Sequence, residues 1–215
     1  MEKLVIIGAG GHARSVIDIF LQMHTYEIVG CLDPTFKNRK SVKGMEEIPV
    51  IGDDKILPQL REKGIEYVFV ALGDNRLRKK LTKLARDYSY KVATAVSPGA
   101  YISKLVQIGE GTCIMAGAVL NVNSVIGEGT IINTNASLDH DCKIGNYVHI
   151  APGTAVSGST IIEEGTHLGT GASVIDGIHI GSWSYIGAGD VVVKNLPGSV
   201  LAYGVPAHVI RKINN

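Results

Sequence analysis

Two hydrophobic periodicities divide this chain. From Leu4 to about Ala95, short apolar runs alternate with helical spacing. "LVIIG" predicts a buried strand, "HARSVIDIFLQM" a helix, "EIVGCLD" and "YVFVALG" two more strands, and "NRLRKKLTKLARDY" a second helix. That succession describes a small α/β domain, a Rossmann-like βαβ parallel sheet spanning residues 1–95. Between its elements, "PTFKNRKSVKGMEEIPVIGDD" is polar and broken by Pro34, Gly44 and Pro49, and reads as a connecting loop.

After Val96 the period becomes six. Stepping from Ile102 through Ile108, Ile114 and Leu120 to Val192, sixteen consecutive positions are aliphatic with no break in phase. Four places beyond each aliphatic the residue is usually small or β-branched, as at Thr112, Ala118, Ser124 and Thr130, and glycine often follows the aliphatic directly, as at Gly109, Gly127 and Gly145. A period of six fits neither a helix nor an ordinary strand; it is the pattern of a parallel β-helix. Each hexad makes one flat face, three make a triangular coil, and successive coils rise by about 4.8 Å, the strand spacing. The aliphatic fills the interior, where its burial is worth about 1.5–3 kcal/mol before chain entropy is subtracted. The small residue lets the corner turn, while glycine and asparagine (Asn121, Asn133) are expected to take left-handed backbone there. This second domain covers residues 96–215.

Composition narrows the function by exclusion. Lys and Arg number 21 against 20 Asp and Glu, a net charge of +1, so no electrostatic feature asks for nucleic acid or an anionic membrane. Cys31, Cys113 and Cys142 form neither a CxxC pair nor an even-numbered framework, which suits a reducing, cytoplasmic setting and argues against a structural metal. The opening "MEKLVIIGAGG" is too short in its apolar run for a signal peptide or membrane span.

The hexads leave some residues unexplained. Counting from Leu138, His140 falls two places past the interior position, outside the core and near a corner, between Asp139 and Asp141. A neutral imidazole is a competent base near pH 7, and a carboxylate on one ring nitrogen fixes the tautomer and raises the basicity of the other. Asp141 is the expected partner, with Asp139 the alternative. His149 and His167 are eighteen residues apart, one coil, and should stack on one face. In the first domain, Gly8, Gly10 and Ala13 match GxGxxA between a strand and a helix, with Asp33 twenty residues on. The physics demands only that backbone N–H groups and a helix N-terminus meet a diphosphate. A UDP-sugar meets that demand as well as NAD does. The visible strands are about half those of a full dinucleotide fold, which favours the nucleotide sugar.

The sequence "SLDHDCKIGNYVH", with "IGAGGHARS" and the hexads, resembles the sialic acid O-acetyltransferase and bacillosamine N-acetyltransferase family. That resemblance runs nearly end to end. It implies a left-handed β-helix, a homotrimer, and acetyl transfer from acetyl-CoA to a sugar amine, with a UDP-linked 4-amino sugar as acceptor and no metal. The hydroxyl of a sugar such as sialic acid is the alternative acceptor, and a non-catalytic, NAD-binding trimer the alternative class. By the same resemblance His140 is the general base and Asp141 its orienting acid. Gly10, Gly11, His12, Asp33 and Gly73 face the nucleotide sugar, Asp33 toward the uracil. His149 and the N–H of Gly158 meet the thioester of acetyl-CoA, the latter as an oxyanion donor. Thr170 and Ala188 line the pantetheine groove, and Pro206 in "YGVPAHVIRK" borders the adenine.

Overall fold

The computed structural model describes residues 1–213, which divide into two compact units, 1–98 and 99–213. The first is built on a six-stranded sheet in which β1 (Glu2–Ile7), β2 (Tyr26–Leu32), β3 (Ser41–Val42), β4 (Met45–Gly52), β5 (Tyr67–Val70) and β6 (Lys91–Val92) lie in the order β3-β4-β2-β1-β5-β6. All neighbours run parallel except β3 and β4. The helix α1 (Gly11–Met23) links β1 to β2, α2 (Leu57–Glu62) precedes β5, and α3 (Asn75–Asp87) links β5 to β6. Val5, Ile7, Leu32, Val68 and Val70 of the central strands pack with Leu57, Leu60, Leu81 and Ala85 of α2 and α3 in one buried cluster.

The segment expected as a loop therefore contains β4, and the sheet is larger than the half-size sheet expected. Strand count alone thus does not separate a nucleotide-sugar fold from a dinucleotide one. The strand was hidden because its first half, Met45–Glu47, is half-buried or exposed, and only Ile48, Val50 and Gly52 turn inward. Gly30 makes room for it. A β-carbon there would lie 2.9 Å from both the Pro49 carbonyl oxygen and Ile51 Cγ2.

The second unit is the parallel β-helix that the hexads predicted, left-handed as the family resemblance implies, each hexad giving a two-residue strand. Strands eighteen residues apart pair in parallel, as Ile132 with Ile150, Leu138 with Val156 and Ile144 with Ile162. Three faces result, typified by His149–Ile150 (first face), Ser137–Leu138 (second) and Lys143–Ile144 (third). The interior aliphatics from Ile114 to Val192 are all buried. So are the small residues of the corners, and their hydroxyls are satisfied rather than merely tolerated. Thr112, Ser124, Thr130 and Thr166 each donate to the carbonyl fifteen residues ahead, in the next coil, at 2.8–3.0 Å. A strand pair, Val200–Gly204 and Ala207–Lys212, closes the first face as an antiparallel hairpin with a cis Val205–Pro206 bond.

The glycines that directly follow an aliphatic serve another purpose: Gly127 and Gly145 are not left-handed but are needed because coils approach closely, a β-carbon at Gly145 lying 2.6 Å from the Glu164 amide nitrogen. Glycine does take the expected left-handed backbone at the corners, as at Gly129 (φ 61°), Gly153 (φ 67°) and Gly165 (φ 71°), whereas Asn121 and Asn133 do not; the left-handed residues are Asn123 (φ 61°), Asn135 (φ 55°) and Asp141 (φ 59°), two places past Asn121, Asn133 and Asp139. Asparagine and aspartate tolerate this conformation because their short side chains bond locally.

Candidate active site

His140 and Asp141 occupy the turn that joins the second face to the third. The left-handed Asp141 points its carboxylate back along the turn, and Oδ2 lies 2.8 Å from His140 Nδ1. Asp139 holds the backbone instead, its Oδ1 accepting from the His140 amide at 2.8 Å and from Asn121 Nδ2 at 3.2 Å. The Asp141 hydrogen bond, reinforced by the charge of Asp139, raises the imidazole above its ordinary pKa, and His140 in turn lowers the Asp141 carboxyl. With Nδ1–H donating to the carboxylate, Nε2 keeps its lone pair.

One coil further, at the same corner, lies Gly158. Its absent side chain makes room for the imidazole: a β-carbon there would sit 2.6 Å from His140 Cε1 and 2.8 Å from Nε2. No acceptor among the described residues takes up the Gly158 N–H, whereas the flanking Ser157 and Ser159 amides bond to Val174 and His140 carbonyls. A ring nitrogen with a free lone pair beside a free backbone N–H is what attack on a thioester carbonyl requires: one group to take a proton, one to meet developing negative charge.

The remaining donor-site candidates lie on other parts of the coil. His149 stands on the first face, where it packs edge-on to His167 at 4.6 Å, and His167 stacks on Tyr185 at 5.6 Å. The ladder follows the register His149, His167, Tyr185. Its Nε2 meets Asn133 Nδ2 at 3.1 Å. Thr170 and Ala188 stack in the turn between first and second faces, where the Thr170 carbonyl accepts from Gly189 at 2.8 Å. Pro206 is in the hairpin turn, tied to the same corner because Asp190 accepts from Gly187 N at 2.7 Å and from Gly204 N at 2.9 Å. One chain therefore gathers His140, Asp141 and Gly158 at one corner and Thr170, Ala188 and Pro206 at another, with His149 on a third surface.

In the first unit the glycine turn, Asp33 and the 71–73 segment come together. Gly8 (φ 113°) crosses so close to β5 that a β-carbon would meet the Ala71 carbonyl at 2.8 Å. Gly10 caps α1 without a side-chain bond, and beyond Gly10 and Gly11 the space is open but for Arg14 Nη2 at 3.8 Å from Gly11. His12 is different. Burial first, and then the positive charge of Arg78, push its pKa down to about 4, so it is neutral at physiological pH, and its Nε2 has no partner among the described residues. Asp33 is occupied internally: Oδ1 accepts from Thr35 N at 2.9 Å and Thr35 Oγ1 at 2.5 Å, and Oδ2 from Ala9 N at 3.2 Å. Burial would raise its pKa, but these bonds and the charge of Arg39 outweigh that and hold it below the ordinary value. Gly73 lies in the exposed turn before α3, its carbonyl accepting from Arg78 Nη1 at 3.3 Å.

Residues 3–84 match the PglD N-terminal domain family, and residues 123–158 the bacterial transferase hexapeptide (six repeats) family. A variant of perosamine N-acetyltransferase from Caulobacter crescentus, solved in complex with CoA and GDP-perosamine, is 43% identical over 99% of this chain and 98% of its own, with a TM-score of 0.92. The chain belongs to the hexapeptide-repeat sugar acetyltransferase family. Within the family it is also similar to the acetyltransferase domain of PglB from Neisseria gonorrhoeae, solved with acetyl coenzyme A, at 37% identity over 97% of this chain and 99% of that one, TM-score 0.89. UDP-N-acetylbacillosamine N-acetyltransferase of Bacillus subtilis is 37% identical over 54% of this chain, and the match spans about half, 52%, of that curated relative.

Two residues of this family member escaped the sequence reading. Asn123, one coil before Asp141, donates from Nδ2 to Asp141 Oδ1 at 3.2 Å, so the carboxylate is braced from both sides. Its signal was present in the eighteen-residue spacing from Asn123 to Asp141, but the hexad places it only as a turn residue. Arg78 carries no signal of its own in a helix rich in Lys and Arg. Yet it is 1% exposed and spans the turn before α3, bonding Leu72 O at 2.9 Å and Asn75 Oδ1 at 2.8 Å.

Proposed function

We propose that this protein transfers an acetyl group from acetyl-CoA to the amine of a nucleoside-diphosphate-linked amino sugar. The observation that carries the reading is the corner at which His140 Nε2, oriented through Nδ1 by Asp141, lies against Gly158 with its free N–H. His140 takes the proton from the amine as nitrogen attacks the thioester carbonyl carbon, and Gly158 N–H stabilises the charge on the carbonyl oxygen. The carbon–sulfur bond then breaks, the amide is formed, and the CoA thiolate leaves and is protonated. The names of the family relatives, together with the CoA and acetyl-CoA bound in their structures, support acetyl-CoA as donor and an amino sugar as acceptor. The unpartnered Nε2 of His12 beside the uncapped N-terminus of α1 supports a diphosphate-linked ligand in the first unit.

The active assembly in this proposal is a homotrimer in which the first face of one copy, with His149, meets the His140 corner of the next. The separation of the donor residues over two corners and a face of one chain supports it. Three free, buried cysteines fit work in the cytoplasm. No helix among the described residues is long and apolar enough to cross a membrane, and none of their His, Cys, Asp or Glu clusters is of metal-holding size.

The test is a panel of UDP- and GDP-linked amino sugars, their hydroxyl counterparts and free sialic acid, each incubated with acetyl-CoA while thiol release is followed. Turnover confined to amine-bearing nucleotide sugars is expected. Turnover of the hydroxyl counterparts or of sialic acid in preference to amines overturns the reading.

A further inference from the structure

Beneath the glycine turn the first unit holds a cavity of about 180 Å³. Leu32 and Pro34 at the end of β2, Leu72 after β5 and Leu77 on α3 give it apolar walls, and Gly8 places its mouth beside the turn where a diphosphate would sit. Apolar walls this close together suit a flat heteroaromatic ring better than a hydroxyl-rich sugar. Three charged residues line the space: Asp33, Asp54 and Lys80. Asp33, expected to meet the base, has both oxygens committed to its own chain through Thr35 and Ala9. Asp54 is half-buried, and neither its carboxylate nor the Lys80 ammonium bonds to any group among the described residues.

We infer that Asp54, with Lys80, selects guanine as the base of the bound nucleotide, while Asp33 positions the glycine turn and does not read the base. This inference rests on the nucleotide-sugar reading above and names its base. An ionised carboxylate only accepts hydrogen bonds. Guanine sets two donors side by side, N1–H and N2–H, which a carboxylate takes in parallel, and next to them O6, an acceptor for a lysine. Uracil offers a single N–H between two carbonyl oxygens, so the second carboxylate oxygen faces a lone pair. Adenine sets an acceptor, N1, beside its amino group and meets the same conflict. The chemistry thus favours guanine over the uracil expected from the sequence resemblance, and a bidentate pair of this kind discriminates between bases by about five- to 150-fold.

Binding of GDP, UDP and ADP to the whole protein, measured by calorimetry without acetyl-CoA, tests this apart from turnover. GDP should bind at least about tenfold more tightly than UDP or ADP. Asp54→Asn replaces one acceptor with a donor, so GDP affinity should fall while UDP affinity holds or rises. A retained or improved UDP affinity cannot come from an unfolded variant, which makes it the decisive readout. Lys80→Met should weaken GDP less than Asp54→Asn does. Asp33→Asn should weaken GDP and UDP by the same factor, as loss of a positioning contact would. Equal wild-type affinity for GDP and UDP, or an unchanged GDP-to-UDP ratio in Asp54→Asn, overturns the inference. If no nucleoside diphosphate binds at all, the reading of the first unit as a nucleotide-sugar site falls, and this assignment falls with it.

Discussion

Two histidine–carboxylate pairs in the β-helix are alike in separation and exposure, although His140 bonds its acid through Nδ1 and His179 through Nε2. His140 lies 2.8 Å from Asp141 and His179 lies 2.8 Å from Glu163, and all four side chains are about half exposed. They differ in what surrounds them. His140 stands in a turn, and the groove left by Gly158 receives its ring; Asn123 braces its acid from the other side. His179 begins a strand of the third face, and its partner is taken up by the fold: Glu163 Oε2 also accepts from the Ser182 amide at 3.0 Å, while Asn195 accepts from the His179 amide at 2.8 Å. The second pair fastens neighbouring coils together, and the backbone donor beside it, the Ser182 N–H, is already taken up by Glu163. In the proposed reading a base is made by its neighbourhood, here a glycine with a free N–H, and the His–acid distance alone does not single one out.

Substitutions can break or sharpen this contrast. The largest effect is expected from His140→Ala, which should cost about 10²–10⁴-fold in kcat. Because the side chain is exposed and off the interior column, the melting temperature should hardly move, and activity within threefold of wild type would remove His140 from catalysis. Gly158→Ala comes next. Its backbone is not left-handed, so alanine fits the coil, but the new methyl group occupies the place of the imidazole ring. Displacement on the ångström scale should cost about 10²-fold in turnover with little change in acetyl-CoA affinity. If the variant were as active as wild type, the packing of His140 on Gly158 would have no bearing on the reaction.

Asp141→Asn should have a smaller effect that is best read in its pH dependence. The neutral imidazole is the active form, so kcat/KM falls as pH drops through the His140 pKa. Asp141 raises that pKa through its hydrogen bond. Removing the charge should therefore move the acid limb to lower pH, while poorer orientation lowers the plateau about tenfold. An acid limb that stays in place or moves upward would show that Asp141 does not set the basicity of His140. The smallest effect belongs to the second pair. His179→Ala should leave kcat and both KM values within about twofold, at a cost of about 1 kcal/mol or less in stability, as for an exposed pair. A large loss of kcat in that variant would erase the distinction between the pairs.

Much of this was written in one dimension because the β-helix is almost one-dimensional. A residue's neighbours lie six and eighteen positions away, so the step from Leu138 already placed His140 outside the core, and the interval from His149 to His167 already foretold their contact. Other features depended on residues far apart in sequence. The strand β4 exists because Gly30, fifteen or more residues earlier, leaves space for it, and nothing in "KGMEEIPVIG" announces that. The commitment of Asp33 to Ala9 and Thr35 is likewise invisible in a fingerprint that records only its distance from the glycines. Arg78 shows the same limit, since a basic helix has the same composition whether its cations are solvated or buried.

By itself, then, the sequence determined the coil, its three faces, the corner that holds His140 and the glycine turn of the first unit, because strict periodicity and glycine spacing express contacts that are local or regularly repeated. Only the tertiary structure decided that Asp141 rather than Asp139 holds the imidazole, that Gly158 lies under it and that Asp33 bonds to Ala9 and Thr35. Those outcomes rest on left-handed turns and on which groups are already satisfied, quantities set by three-dimensional packing and carried by no single spacing along the chain.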